Sequence, residues 1–294
     1  MPYTYNFKLN FIKDWVSQLK RELEESGYKV DGCSDDDVCI KYLNLNKRLV
    51  HPKPRKVLIS KQFKYNPKFK VVINNIIQKI ESGKNITSYL SKNITNLDYN
   101  DPLLNDWDIH HLHLGSKPDS ENPKFIDRTG PLLFVRFTED IAYFINVYEH
   151  GAWTKQEMVR IIHENWAESI KLFKMNDVIS LEYNVTDDDY ANFRKNNIST
   201  FVEIEKGVVY FPLGRGYSLS GHSTQVIMDK IHYFRTLENY EKWIKEHIGE
   251  IVKKYKSFGL NQNNKMYFYP VIGEDYISTY ELYSGINIKL GKIL

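Results

Sequence analysis

The chain of 294 residues contains only two cysteines, Cys33 and Cys39, and their spacing fits neither a CxxC motif nor a paired zinc knuckle. We therefore expect no disulfide framework and no cysteine-bound zinc, but two ordinary thiols in a reducing compartment. No window approaches the roughly 18 uncharged apolar residues of a transmembrane helix. The N-terminal stretch lacks a basic head followed by an apolar run, so we predict no signal peptide, no membrane partner and a cytoplasmic location.

Glycine and proline are also modest, at 15 and 10 residues, which argues against a disordered or fibrous chain. What remains is ordinary for a globular protein, with 42% apolar and 26% charged residues, although aromatic residues are plentiful at 14%. The length suits one large domain or two ordinary ones, and it allows a full hydrophobic core without covalent staples.

Acidic residues are missing from one long window, although the net charge of the whole chain is only +3. Residues 41–80 contain eleven Lys and Arg residues and no Asp or Glu, and aromatic residues are interleaved with these cations. Such a pattern suits a surface that binds backbone phosphates and stacked bases, whereas a solvated lysine-rich face is the alternative. The predicted nucleic-acid contacts are Lys47, Arg48, Lys53, Arg55, Lys56 and Lys61.

Hydrophobic periodicity predicts an α+β fold in three regions. Residues 1–100 form a helical basic region, 101–175 a histidine-rich core with a central antiparallel sheet and packed helices, and 176–294 a C-terminal α+β region. Helices are predicted at 10–25, from Ser34 onwards, at 68–82, in "TSYLSKNI", after a capping box of Thr154 and Glu157, after Thr186, and at 224–256, where a break near Thr236 is the alternative. Strands are predicted in "IHHLHL", "PLLFVRF", "IAYFINVY", the hairpin "STFVEIEKGVVYFPLG", "MYFYPVI" and "GINIKL".

Three histidines lie within the four positions 110–113 of the first predicted strand. Side chains alternate between the faces of a strand, so His111 and His113 share one face and His110 lies on the other. His150 follows the second strand of the predicted hairpin and is the nearest further imidazole. Arg136 lies in the middle of "LLFVRF" among apolar residues, where a guanidinium requires a partner.

This pattern supports two catalytic interpretations. In the first, imidazoles act as general acid and base while Arg136 stabilises a phosphorane-like transition state. In the second, His111, His113 and His150 bind a metal such as zinc that activates water. The sequence places no carboxylate ligand beside the histidine pair, because Asp108 precedes the strand. Structural histidines on a half-exposed strand are the third interpretation.

The stretch "GRGYSLSGHSTQ", residues 214–225, is a second candidate site. Backbone N–H groups before a helix can bind an anion, and Arg215, Ser220 and His222 could add side-chain contacts. The pattern matches neither a Walker A motif nor a G-x-G-x-x-G motif. A hairpin-to-helix loop with Ser220 or Ser223 as N-cap is the alternative.

Two resemblances bear on function. The segments "NDWDIHHLHLG", "RTGPLLFVRF" and "INVYEHGAWTKQEMVRIIHENW" resemble an uncharacterised family of bacterial proteins associated with mobile elements and phage defence, over about residues 31–235. The hairpin with "YEHGAWTK" is weakly similar to the RelE-type ribonuclease toxins, which cleave RNA without metal. That similarity implies RNA cleavage by Arg136 and His150, with an antitoxin or phage protein as partner. Those toxins are much shorter, and their lysine-rich end is only loosely echoed here.

Together these observations predict a metal-independent ribonuclease that acts as a toxin or abortive-infection effector on RNA. The predicted catalytic residues are His111, His113, Arg136 and His150, with no cofactor and no metal. A histidine-rich metal-dependent hydrolase is one alternative. A non-catalytic module that binds nucleic acid or a protein partner is the other.

Overall fold

The computed structural model describes residues 5–261, 265–273 and 276–292, and within them the fold is α+β, as the sequence predicted. The chain divides into two compact units, unit 1 (Met1–Leu43 and Met228–Leu294) and unit 2 (Asn44–Ile227). These units cut across the three regions predicted from the sequence, whose independence as domains stays a prediction. Among the described residues, none of the helices combines the length and apolar character needed to cross a bilayer.

The helices are α1 (Phe11–Glu25), α2 (Asp35–Arg48), α3 (Lys70–Glu81), α4 (Pro102–Trp107), α5 (Glu157–Trp166), α6 (Asp187–Lys195) and α7 (Thr224–Tyr255). The strands are β1 (Phe7–Leu9), β2 (Lys56–Ile59), β3 (His110–His113), β4 (Leu132–Phe137), β5 (Ile141–Tyr148), β6 (Val202–Glu205), β7 (Val208–Tyr210), β8 (Met266–Ile272), β9 (Tyr276–Glu281) and β10 (Ile286–Lys292). The predicted hairpin strands are therefore β4 and β5, and the predicted histidine strand is β3. Three short strands, β1, β2 and β9, were not predicted.

Two of the three predicted helix starts have the expected cap. Ser34 and Asp37 exchange side-chain and backbone hydrogen bonds before α2, and Thr186 and Asp189 form a complete capping box at α6. The capping box predicted at Thr154 is wrong, because α5 begins after Gln156 without a side-chain cap. Hydrogen bonds of Gln156 to the Asp187 carboxylate and the Val185 carbonyl fix that end instead.

Of two further helix predictions, the long helix at 224–256 is confirmed and the short helix in "TSYLSKNI" is wrong. Helix α7 passes Thr236 without a break, and this threonine is buried. The segment "TSYLSKNI" forms two separate 3-10 turns, Thr87–Tyr89 and Lys92–Thr95, in place of one short α-helix. The serine between them, Ser91, caps the second turn by accepting a hydrogen bond from Asn93.

Unit 1 contains a four-stranded sheet in the order β1-β8-β9-β10. β1 pairs with β8 in parallel, and the two remaining pairs are antiparallel. Helix α1 packs on β8 through an apolar stripe that recurs at helical spacing and includes the buried Phe11, Trp15, Leu19 and Leu23. The phenol of Tyr267 on β8 donates a hydrogen bond of 2.6 Å to Asp14 of α1.

Unit 2 is built on a sheet in the order β2-β5-β4-β3. β3, β4 and β5 are antiparallel neighbours, as predicted, and β2 adds in parallel to β5. In this register His111 lies opposite Phe134 and His113 opposite Leu132. β3 is therefore a short strand at the end of the sheet order, and its side chains alternate between the two faces.

Each face of this sheet has its own core. Leu112, Leu133 and Phe144 pack with α3 on one face. On the other, Leu132 and Phe134 pack with α4, α5 and α6. His111 and His113 share the face of Leu132 and Phe134, so the strand directs both imidazoles toward the helices α4 to α6.

Candidate functional site

A cavity of about 660 Å³ lies in unit 2 beside β3, and we call it the histidine pocket. It is lined by residues from β3, the turn after β5, α6 and the loops before α4 and β4. The lining residues are Ser91, Lys92, Asn93, Tyr99, Asp101, Pro102, Leu103, His111, His113, Arg128, Thr129, His150, Trp153, Thr154, Ala191, Arg194 and Lys195. The pocket thus brings together three of the four residues that the sequence predicted as catalytic.

The indole of Trp153 contacts two of the imidazoles. The ring centroids of His111 and Trp153 are 4.6 Å apart, and those of His150 and Trp153 are 5.1 Å apart, both edge-on. His111 and His113 are themselves 5.9 Å apart between centroids. His150 is exposed, whereas His113 is buried. The pocket therefore has one solvent-facing imidazole and two inner ones.

Four cations line the same pocket, Lys92, Arg128, Arg194 and Lys195, and the electrostatic surroundings of the first two differ. Lys92 is paired with Asp119 at 2.8 Å, so its charge is largely matched. Arg128 has a half-buried guanidinium that donates from Nη1 to the carbonyl oxygen of Leu90 at 3.3 Å and lies over the ring of Phe125. No ion pair to Arg128 is found among the described residues. A cation in that setting favours an anion in the pocket.

Burial lowers the pKa values of the inner imidazoles. For His113, desolvation and then the nearby Arg128 charge lower the pKa to about 3. For His111, desolvation lowers the pKa, while the carboxylate of Asp101 opposes the shift. Both rings are therefore neutral at pH 7, so each offers one nitrogen as a proton acceptor.

Asp101 places a carboxylate behind His111. Its Oδ2 lies 4.0 Å from Nδ1 of His111, and both side chains are nearly buried. Its other oxygen, Oδ1, accepts hydrogen bonds of 3.1 Å from the backbone N–H groups of Leu103 and Leu104, so the N-cap of α4 holds the carboxylate in place. At this distance the carboxylate is beyond hydrogen-bond reach, and Nδ1 of His111 has no hydrogen-bond partner among the described residues, so Asp101 acts on the ring through its charge alone.

His110 lies on the opposite face of β3, as strand alternation predicted. Its ring is edge-on to Phe137 at 5.4 Å, and neither ring nitrogen has a hydrogen-bond partner among the described residues. Desolvation lowers its pKa to about 4. His163, the other histidine of the central region, lies outside the pocket with Nδ1 2.8 Å from the Tyr210 hydroxyl.

Arg136 does not line the histidine pocket. Its Nε lies 3.1 Å from the Asp108 carboxylate, and Nη1 donates to the carbonyl oxygen of Ser169. The partner that this arginine requires is thus a residue of the protein, and the arginines that line the pocket are Arg128 and Arg194. Arg128 stands in the quoted segment "RTGP", where only its position before a predicted strand could have indicated a site.

The six predicted nucleic-acid contacts fall into different settings. Lys47 donates to the Gly214 carbonyl and the Ser223 hydroxyl, and Arg48 is buried, with hydrogen bonds to the carbonyls of Asn44 and Asn93. Both side chains therefore make contacts inside unit 2, and their role as nucleic-acid contacts stays a prediction. Among the other four, Lys53 pairs with Glu139 and Asp140, Arg55 binds the Thr138 and His51 carbonyls, and Lys56 and Lys61 are exposed.

The predicted anion-binding loop does not meet the histidine pocket, since Arg215, Ser220 and His222 are absent from its lining. The loop is closed by its own hydrogen bonds. The Ser218 backbone N–H donates to the His222 carbonyl at 2.8 Å, and the Ser218 and Ser220 hydroxyls are 2.9 Å apart. These contacts match the alternative of a hairpin-to-helix loop before α7.

In the part of the chain that the structure describes, no group of three or more His, Cys, Asp or Glu side chains has an arrangement that could hold a metal ion. The metal-dependent alternative therefore has no described ligand set to support it.

Comparisons with known protein families, curated proteins and solved structures find no match to this chain. The fold and site define an α+β protein with a cationic, aromatic pocket that contains three imidazoles.

Proposed function

We propose that unit 2 is a ribonuclease that cleaves RNA without a metal ion. The observation that supports this most is the meeting of three imidazoles, a tryptophan ring and an arginine that has no ion pair to any described residue in one pocket. Its volume of about 660 Å³ lies within the usual range for small-ligand sites and can hold a nucleotide.

Binding would use charge and stacking together. Arg128 supplies a planar guanidinium that can contact two phosphate oxygens at once, and it replaces Arg136 in that role. Lys92 and Lys195 add positive potential at the lining. The indole of Trp153 and the phenol ring of Tyr99 offer faces for a base.

Cleavage would proceed by acid–base catalysis at a phosphodiester. Nε2 of His111 accepts the proton of the ribose 2′-hydroxyl, and the 2′-oxygen forms a bond to phosphorus. The bond from phosphorus to the 5′-oxygen breaks, and His150 donates a proton to that leaving oxygen. Arg128 stabilises the additional charge on the phosphoryl oxygens, and the products are a 2′,3′-cyclic phosphate and a 5′-hydroxyl.

One observation favours a second candidate, a pocket that binds RNA without cleaving it. The pKa of His113, lowered to about 3, makes this imidazole a weak base at neutral pH and suits it to accepting a hydrogen bond. In that case the same residues would recognise a nucleotide, and proton transfer would not occur.

As a biological role we propose a toxin or phage-defence effector acting in the cytoplasm, with an antitoxin or phage protein as its regulator. The resemblances of the central segments are the support for this role, and RNA is the proposed target. Expression of the protein with and without His111→Ala in growing cells tests it. Growth arrest that depends on His111 supports the role, and equal growth contradicts it.

The enzymatic proposal is tested with purified protein, fluorescently labelled single-stranded RNA and EDTA in the buffer. We expect His111→Ala and His150→Ala to lower the cleavage rate by about 100-fold or more each. His51→Ala, an exposed histidine outside the pocket, is the matched control. Cleavage that survives both substitutions contradicts the proposal, and RNA binding without cleavage by the wild type favours the second candidate.

A further inference from the structure

A second cavity of about 560 Å³ adjoins the histidine pocket in unit 2, and we call it the α3 pocket. It is lined mainly by α3, the end of β3 and the loop that leads to β4. The lining residues are Lys68, Phe69, Val71, Val72, Asn75, Tyr89, Leu114, Gly115, Ser116, Ile126, Asp127, Thr129, Gly130 and Pro131. Thr129 lines both pockets.

Thr129 is the residue that the linings of the two pockets share. Its neighbour Arg128 lines the histidine pocket, and Gly130 on the other side lines the α3 pocket. The end of β3 shows the same alternation, since His113 lines the first pocket and Leu114 the second. The two pockets lie on opposite faces of the sheet, so a flexible ligand that occupies both has to cross the strand pair at Thr129, the residue that both linings share.

The loop that carries Thr129 is held against the end of β3. An added Cβ at Gly115 would collide with the carbonyl oxygen and carboxylate of Asp127. That carboxylate accepts a hydrogen bond of 3.0 Å from the backbone N–H of Lys117. The loop thus packs tightly against the end of β3, and the two pockets keep their relative positions within unit 2.

The chemistry of the α3 pocket suits a nucleotide. Its floor is apolar, with the buried Phe69. Ser116 provides a hydroxyl for the edge of a base, and Asn75 provides an amide whose Nδ2 also donates to the Tyr89 hydroxyl at 3.0 Å. The ammonium of Lys68 lies 4.9 Å from the Phe69 ring centroid, at the exposed side of the lining. That charge complements a phosphate, while the one carboxylate of the lining, Asp127, accepts a hydrogen bond from the backbone N–H of Lys117.

We propose that the α3 pocket binds the nucleotide adjacent to the scissile phosphate, so that the substrate is single-stranded RNA. This inference rests on the proposed function of the histidine pocket. Two neighbouring bases can enter separate recesses only when they are unstacked and unpaired, which a duplex prevents. An apolar peptide segment is the competing occupant, and the positive charge of Lys68 and continuity with the histidine pocket favour the nucleotide.

Binding of uncleavable ligands tests the subsite directly, because a 2′-deoxy ligand lacks the attacking hydroxyl. We compare a deoxymononucleotide 3′-phosphate with a deoxydinucleotide by titration calorimetry. In the wild type the dinucleotide should bind about tenfold more tightly, as expected for one additional stacked base. Lys68→Gln and Val71→Glu should remove most of this advantage without changing mononucleotide affinity.

Two matched variants act as controls. Lys70→Gln removes an exposed charge from α3 that lines neither pocket, and Val71→Gln adds a similar volume without charge at a position that is 81% exposed. The first should match the wild type, and the second should retain more of the dinucleotide advantage than Val71→Glu.

The outcomes separate this inference from the proposed function. If the wild type cleaves RNA but binds the mononucleotide and dinucleotide equally, the subsite is overturned and the catalytic proposal stands. Equal cleavage of single-stranded and duplex RNA also overturns the subsite. If the mononucleotide binds to neither His111→Ala nor the wild type and no RNA is cleaved, the proposed function itself fails.

Discussion

Replacing Arg194 by methionine should destabilise unit 2 strongly, because this arginine forms the most buried ion pair described there. Its Nε lies 2.9 Å from Oδ2 of Asp106, and the two side chains are 4% and 1% exposed. Its Nη1 donates to the carbonyl oxygen of Trp153, and its guanidinium lies 4.1 Å from the Trp107 ring centroid. Methionine preserves much of the length and apolar contact of the side chain but removes its donors.

The expected loss follows from what the substitution leaves behind. Breaking one side of a buried ion pair leaves an uncompensated charge and costs about 3–5 kcal/mol of the free energy of unfolding. The second oxygen of Asp106, Oδ1, already has no hydrogen-bond partner among the described residues, so no other described donor is in place to compensate. A second substitution, Asp106→Asn, should restore part of the loss, because it removes the charge.

The effect should depend on pH in a defined direction. Burial raises the folded-state pKa of Asp106 above its ordinary value, and Arg194 partly opposes the shift. Without Arg194 the folded-state pKa rises further. A group with a raised folded-state pKa adds to the stability of the folded state when it is protonated. This contribution is lost as the pH rises through the folded-state pKa. The Arg194→Met variant should therefore lose most stability at pH 7.5 and clearly less at pH 5.

Urea unfolding followed by tryptophan fluorescence measures this loss, since three of the five tryptophans, at positions 107, 153 and 166, belong to unit 2. Arg160→Met is the matched control, because Arg160 is an exposed arginine and surface substitutions typically stay within about 0.5 kcal/mol. A loss under about 1 kcal/mol for Arg194→Met at pH 7.5, or the same loss at both pH values, would refute the reasoning.

Three further predictions concern single positions. Gly115→Ala should cost about 1–3 kcal/mol in urea unfolding, because its Cβ would meet Asp127; a neutral effect contradicts the tight packing of that loop against the end of β3. Burial raises the pKa of the Cys39 thiol to about 12. A thiol reagent at pH 8 should therefore label Cys33 in the folded protein and Cys39 only after unfolding. Fast labelling of both cysteines in the folded protein contradicts this. Sulfate, whose charge is the same at both pH values, should bind more tightly at pH 5 than at pH 7.5, since a bound anion moves the lowered pKa of His113 back toward its ordinary value and binding takes up protons; calorimetry that shows pH-independent affinity contradicts it.

Local patterns predicted the part of the site that lies on one strand. The two-residue period of a strand is a property of the backbone, and it separated His111 and His113 from His110 before any tertiary contact was known. The hairpin of β4 and β5 similarly followed from short apolar runs around a turn. His150 comes directly after that hairpin, so its approach to the same pocket follows from antiparallel pairing.

The arginine assignment could not be obtained in this way. Arg136 lies mid-strand as predicted, but its partner Asp108 is available only because that residue ends α4 in a left-handed conformation, with φ 57°. Arg128 lies in an irregular loop, where no period indicates the direction of a side chain. Likewise, charge counting could not distinguish the buried Arg48 from the exposed Lys61, because burial depends on the packing of distant segments.

The histidine pocket therefore depends on the core of unit 2 as well as on its own lining. Trp153 lies in a turn, where its ring would ordinarily have freedom to move, yet its carbonyl oxygen accepts a hydrogen bond from Arg194. Because Arg194 is itself held by Asp106, the buried ion pair fixes the backbone at Trp153, whose indole contacts His111 and His150. Arg194 also lines the pocket, but its charge is matched by Asp106, so Arg128 and Lys195 are the lining cations left without an ion pair among the described residues. Loss of the ion pair should consequently disturb the spacing of the two imidazoles even under conditions in which unit 2 stays folded.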